Sequence, residues 1–433
     1  MLPGGRAARA ICAACLGALA TMSTASAADV PVAPPKEVWT VTFATEVRYY
    51  SWKSDRGTPT TQNNQPGAGS QVYIPYAMQI VGKPLDDIKL TVLVRSGWVH
   101  SHQTTAGLTG TVDTILDTVG SGTLTYYGFQ GVQPFVGLSV NAPTGRSALF
   151  GSAANARMDP DLVEIGSFGE GWNIGPTAGL NFPITSALMI TTSVGYTWRD
   201  AFDRERSSSE VDPTKQTPTS INPGDVITGT AAIGYQNGPW ALSATGTISE
   251  ETTTVENGAD LYRAGRRYVG TGTVSYTWPE KWGQTTVTGS YAHSNRNQVK
   301  FLAVPVLLTE LFNTNSDVYR IAVQHLFPLG DSFAWGPTGS YLHRNHNTYD
   351  STTFQFVPAK DRWAAGGQIR YAAGPNVTFN ARAEHVWVEE GARPALPDGT
   401  QFSVLANGFV TALTAPQVSS TGWMLSGGAN VKF

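Results

Sequence analysis

Apolar and polar side chains alternate with a period of two over most of the chain. In one run Leu188, Ile190, Thr192, Val194, Tyr196 and Trp198 share a face, and Met189, Thr191, Ser193, Gly195, Thr197 and Arg199 share the other. Tyr268, Gly270, Gly272, Val274, Tyr276 and Trp278 oppose Arg267, Thr271, Thr273, Ser275 and Thr277 in a second. At the C-terminus Trp423, Leu425, Gly427, Ala429, Val431 and Phe433 oppose Met424, Ser426, Gly428, Asn430 and Lys432. Side chains alternate across a strand, so these runs predict strands that are greasy on one face only.

Strand patterning begins at Trp39. Short turns fall at 83–87, 130–134, 183–186, 237–239, 279–282, 328–331 and 374–376. Longer polar segments lie between them, at 52–70, 101–111, 143–167, 202–224, 252–264, 296–316, 345–360 and 390–418. This alternation predicts an all-β fold, a transmembrane antiparallel β-barrel of about 16 strands, with 14 or 18 as alternatives. The short turns are then periplasmic, the long loops extracellular, and both chain ends lie on the short-turn side. Closure is expected because an open sheet edge in hydrocarbon leaves backbone amides without partners. It pairs the strand near Trp39–Tyr49 with the strand near Gly422–Phe433. Aromatics gather beside the short turns: Tyr235 with Trp240, Trp278 with Trp282, Phe327 with Phe333 and Trp335, Tyr371 with Phe379. Rings at these places fit the interfacial girdles of a barrel.

Composition narrows the class. Charged residues are 14% of the chain, alongside 46 Gly, 12 Trp and 16 Tyr. A typical soluble domain carries roughly 25% charged residues. No apolar run approaches the roughly 20 residues of a helical span. A large soluble β-protein is the competing class.

Residues 1–27 read as a cleaved signal peptide. Arg6 and Arg9 precede an apolar stretch from Ile11 to Met22, and Ala25-Ser26-Ala27 supplies the small residues of a cleavage site. Cys15 leaves a lipoprotein alternative. Residues 28–37 form a short Pro-rich periplasmic tether, and 38–433 a single outer-membrane barrel domain. Cleavage removes Cys12 and Cys15, both cysteines of the chain, and moves the formal charge from −3 to −5 through loss of Arg6 and Arg9. There is no charge block to suggest nucleic acid.

The predicted inner face carries Glu46, Arg48, Arg95, Arg199, Arg320, Arg370, Arg382 and Glu384. One reading is a partly basic pore wall that favours anions. The other is ion pairing between neighbouring strands that braces the barrel, as Glu384 could do with Arg382. Gly, Ser and Thr fill most other inward positions, which predicts an open lumen. Two long loops are apolar: one holds Phe301, Leu307, Leu308 and Phe312, the other Phe402 and Phe409. They are expected either to fold into the barrel mouth as a constriction where ligand enters, or to pack on neighbouring loops.

Asn141-Ala142-Pro143-Thr144-Gly145, with the long loop to Phe168 after it and Asp113 and Tyr126-Tyr127 before it, resembles the outer-membrane proteins associated with meta-pathway phenol degradation. That family is related to the long-chain fatty acid transporters. The resemblance covers residues 107–182 and implies uptake of hydrophobic or aromatic small molecules. Residues 28–37 are too few for the N-terminal plug of the fatty acid transporters.

No catalytic, metal or cofactor constellation emerges. The histidines are His100, His102, His293, His325, His343, His346 and His385. The three-residue step from His343 to His346 suits metal ligation on a helix better than on a strand. Glu250 and Glu251 are adjacent, as are Glu389 and Glu390, so their side chains diverge in a strand. The expectation is therefore a diffusion channel for small-molecule solutes. Its partners are outer-membrane lipid, the assembly machinery that reads Phe433, and further copies in a homotrimer. A surface barrel that only displays its loops is the alternative, and an enzyme is disfavoured.

Overall fold

The computed structural model describes residues 39–55, 67–105, 108–205, 218–300, 306–351, 353, 355–392 and 417–433. The signal peptide, the tether, Phe301, Phe402 and Phe409 lie outside these residues.

The strands in chain order are β1 (Thr40–Ser54), β2 (Gly67–Leu85), β3 (Ile88–Thr105), β4 (Leu108–Ile115), β5 (Thr118–Tyr126), β6 (Gln133–Ala142), β7 (Asn173–Pro183), β8 (Leu188–Arg199), β9 (Phe202–Glu205), β10 (Pro218–Asn222), β11 (Val226–Asn237) and β12 (Trp240–Glu251). They continue with β13 (Thr254–Glu256), β14 (Ala259–Arg263), β15 (Arg267–Trp278), β16 (Gly283–Ser294), β17 (Gln298–Lys300), β18 (Leu307–Thr309), β19 (Val318–Leu329), β20 (Phe333–Arg344), β21 (Lys360–Gly374), β22 (Val377–Glu390) and β23 (Val418–Lys432). β1, β2, β3, β5, β6, β7, β8, β11, β12, β15, β16, β19, β20, β21, β22 and β23 pair antiparallel in that order, and β23 returns to β1. The barrel thus closes with 16 strands, the even number that the turn pattern predicts. Phe43 faces Val431 and Tyr49 faces Leu425 across the seam. Phe433 extends that seam, its backbone N–H donating to Val41 O at 2.8 Å.

All seven short turns of the sequence reading connect successive barrel strands, from β2/β3 to β21/β22. Ring pairs stand beside them, with Phe327 and Trp335 centroids 5.6 Å apart and those of Tyr371 and Phe379 6.4 Å apart. The apolar set on each strand is open to the outside: Val47, Val194, Trp198, Ile227, Ile321 and Trp423 are exposed. That is the arrangement expected when lipid, not water, covers the outer face.

Two features depart from the sequence reading. Residues 101–111, read as a loop, are largely strand. The lower half of β3 pairs with β5, and its upper half, Trp98–Thr105, pairs with β4 beyond a break at Leu116-Asp117. On its inner side Gln103 donates to the backbone of Asn155 and Arg157, and Ser101 accepts from Gln71. A second sheet of β9, β10, β13, β14, β17 and β18 is built from three of the long loops, and its pairing order repeats that of β8, β11, β12, β15, β16 and β19 on the loop side of the barrel.

Candidate functional site

The buried core lies against the inner wall, and residues 146–171 form it. This segment leaves β6 at Ala142, makes one 3-10 turn at Gly151–Ala156 and rejoins the wall at β7. Leu149, Ala156, Ile165 and Phe168 pack on Tyr73, Val99 and Val112 of β2, β3 and β4. Met158 and Val163 pack on Tyr50 and Trp52 of β1. The segment's backbone also needs partners, and polar residues of the wall supply them. Gln71 donates to Ile165 O at 2.8 Å and accepts from Ile165 N–H at 3.0 Å. Gln103 donates to Asn155 O and to Arg157 O. Gly110 lets the chain come this close, since a Cβ there would sit 2.2 Å from Asn155 C.

A single carboxylate fastens the neck. Asp117, at the break between β4 and β5, accepts from Gly145 N–H and Asn141 Nδ2 at 2.9 Å and from Glu170 N–H at 2.8 Å. Both ends of the segment thereby meet at one side chain. A Cβ on Gly145 would fall 2.0 Å from Phe168 O, so only glycine fits in this closure.

Acidic residues of the segment meet bases of the wall. Glu164 takes Arg48 and the Tyr50 hydroxyl. Asp161 takes Arg344, and Lys360 lies 2.5 Å from Asp159, 3.2 Å from Asp161 and 3.5 Å from Glu390. Burial opposes ionisation of Asp159. The Lys360 ammonium and Arg344 guanidinium outweigh it and hold the carboxyl well below the usual range. A cavity of about 200 Å³ remains between segment and wall, lined by Trp52, Leu162, Val388 and Val418 with Arg157, Lys360 and Glu390.

The eight wall residues named from the sequence alternate with the exposed apolar side chains and so lie on the inner face. Several brace rather than stand free. Arg48 pairs with Glu46 at 2.7 Å as well as Glu164, and Arg199 lies 3.6 Å from Glu170 and 3.7 Å from Glu251. Arg382 pairs with the fully buried Glu384, which also accepts from Thr338 at 2.5 Å. Arg95 and Arg370 are exposed to the lumen.

Of the apolar loop residues, Leu307 and Leu308 belong to β18 of the six-stranded loop sheet, and Leu308 and Phe312 are exposed, with Phe312 against Tyr349. The described segment that enters the barrel is 146–171, so the lumen is narrower than the small inward residues suggested. Its polar anchors, Gln71, Gln103 and Asp117, are not among the candidates that the sequence pattern marks. The available signal was an amide or carboxylate at positions otherwise filled by small residues. His343 and His346 do not converge: His343 hydrogen-bonds Asp361 at 2.7 Å, and His346 bonds Asn347 O.

No protein-family model matches the chain, and no curated protein matches it. Solved structures with a similar fold include an outer membrane channel from Pseudomonas putida F1, at 12% identity, 70% of this chain, 100% of that chain and a TM-score of 0.40. Pseudomonas aeruginosa OpdO is similar at 8% identity over 91% of this chain and 97% of that one, with a TM-score of 0.39. A TodX mutant, described as a monoaromatic hydrocarbon channel, is similar at 11% identity over 92% and 91%, with a TM-score of 0.40. These likenesses concern architecture alone.

Proposed function

We propose that this chain is an outer-membrane channel through which small solutes diffuse, in a lumen narrowed by residues 146–171. One observation carries the reading. The described contacts of the segment run along the arc from β20 through β23 to β4, joined by Arg199 of β8 at the neck. The inner face of β12, β15 and β16 opposite is lined by Ser243, Thr245, Thr271, Thr273, Ser275 and Thr288. Passage runs between the segment and that hydroxyl-lined arc. Solutes move down their gradient, and wall charge and the segment select among them. The basic inner wall favours anions, and the Trp52, Leu162 and Val388 cavity favours solutes with an apolar body. Lipid of the outer membrane covers the outer face, the assembly machinery reads the Phe433 strand, and a homotrimer is the assembly by analogy with porins of similar strand number.

Purified protein in planar bilayers should give discrete conductance steps with reversal potentials towards anions. A silent barrel overturns the channel, and cation preference overturns the basic-wall reading. The six-stranded sheet of the loops favours a second reading, a barrel that displays its loops. Deletion of β13–β14 that spares permeation but abolishes attachment to a surface partner would establish it.

A further inference from the structure

On the inner wall the guanidiniums of Arg320 and Arg362 differ from their neighbours. Arg48, Arg199, Arg344 and Arg382 each have a carboxylate at contact distance. Among the described residues neither Arg320 nor Arg362 makes a hydrogen bond or ion pair. Both sense the Asp161 carboxylate electrostatically, but Arg344 and Lys360 already hold it. Lower on the wall Arg382 Nε and Gln368 Nε2 are buried donors without an acceptor, against Glu384 Oε2 as a buried acceptor without a donor. This wall is short of acceptors, and a half-buried cation without one is costly.

Register places the two arginines together. Arg320 pairs with Leu342, and Leu342 pairs with Arg362 on its other side. Adjacent strands lie about 4.8 Å apart, so the two Cα atoms are roughly 10 Å apart. Side chains as long as arginine can close that span on one oxyanion. The ground between and beside them is apolar: Leu342 is buried, Arg362 pairs in register with Val388, and Ala364 and Val388 pack with Leu162.

We infer that Arg320 and Arg362, flanking Leu342 at the edge of the inward segment, form a subsite for the carboxylate of a small organic anion whose apolar body rests on Leu342 and Val388. The subsite deepens the channel reading and rests on it for access from the lumen. Two forked donors suit a carboxylate through paired, charge-assisted hydrogen bonds.

Calorimetry on the detergent-purified full chain tests this with phenylacetate against its neutral isostere phenylacetamide. Phenylacetate should bind at least tenfold more tightly than the amide, and Arg320→Gln with Arg362→Gln should remove that preference. Arg370→Gln, a loss of charge further down the same wall, should leave it intact. Equal binding of acid and amide, no binding of either, an unaltered double variant, or an equal loss in Arg370→Gln each overturns the subsite. Neither arginine has a partner among the described residues, so the double variant should keep the wild-type circular dichroism and heat-modified gel mobility; loss of both would show that the pair serves folding and overturn the assignment. Conductance of the same preparations separates the two claims. A silent wild type that still discriminates acid from amide removes the channel and keeps the subsite.

Discussion

The two arcs of the inner wall are built on the same backbone and carry opposite chemistry. On β12, β15 and β16, apart from Glu251 and Arg267 at the loop end, the inward side chains are mostly short hydroxyls, some of them paired, as Thr273 with Thr288 at 3.2 Å and Ser275 with Thr286 at 3.0 Å. From β19 to β22 they include long bases, Arg320, Arg344, Lys360, Arg362, Arg370 and Arg382, of which Arg344, Lys360 and Arg382 are met by Glu384, Glu390 and the acids of the inward segment. Short side chains leave room, whereas long ones reach across it. The segment therefore docks on the charged arc and its apolar continuation, and the hydroxyl arc bounds the proposed passage.

Replacing residues 147–167 with a short Gly/Ser link is the strongest way to break this asymmetry. Single-channel conductance should rise several-fold, and an unchanged value would mean that the segment does not narrow the path. Glu384→Ala is next. It leaves the Arg382 guanidinium beside an empty site and should cost about 3–5 kcal/mol in urea unfolding from lipid vesicles. Glu384→Gln should cost less, because the Thr338 hydroxyl keeps an acceptor. Asp117→Ala removes the acceptor shared by Gly145, Glu170 and Asn141 and should cost about 1–3 kcal/mol. Its readout is faster proteolysis within 146–171 and noisier current.

Acid should loosen the charged arc only late. The folded state lowers the Asp159 carboxyl below its ordinary value of 3.8, so its contribution to docking is fully present above that value. That contribution is lost as pH falls towards the depressed value. Conductance should hold between about pH 5 and 8 and change only in stronger acid; opening near pH 6 would put the latch elsewhere. The smallest effect belongs to the hydroxyl arc. Thr273→Val should alter stability by about 0.5 kcal/mol or less and leave conductance unchanged.

Much of the barrel was legible because strand alternation and turn chemistry are local. Whether Val194 or Ser193 meets lipid follows from its immediate neighbours and the period of two. The same rule puts Arg320 and Arg382 inside, since a base on the lipid face at mid-membrane would cost about 2–4 kcal/mol. It cannot tell a bracing arginine from an available one. Arg382 finds Glu384 two residues away, while Arg48 finds Glu164 across 116 positions of chain and Arg320 finds no acid of its own among the described residues.

Leu308 and Phe312 are conspicuous as greasy loop residues, and they lie in or beside the six-stranded loop sheet. Residues 146–171 stood out less because their anchors are Gln71, Gln103 and Asp117, polar side chains that serve backbone groups. The sequence by itself determined the strand pattern, the even closure and the face of nearly every strand residue, because each depends on neighbours one or two positions away. Only the tertiary structure decided which loop turns inward, since that rests on contacts such as Lys360 with Asp159, 201 residues apart, and on the single carboxylate that holds both ends of the segment.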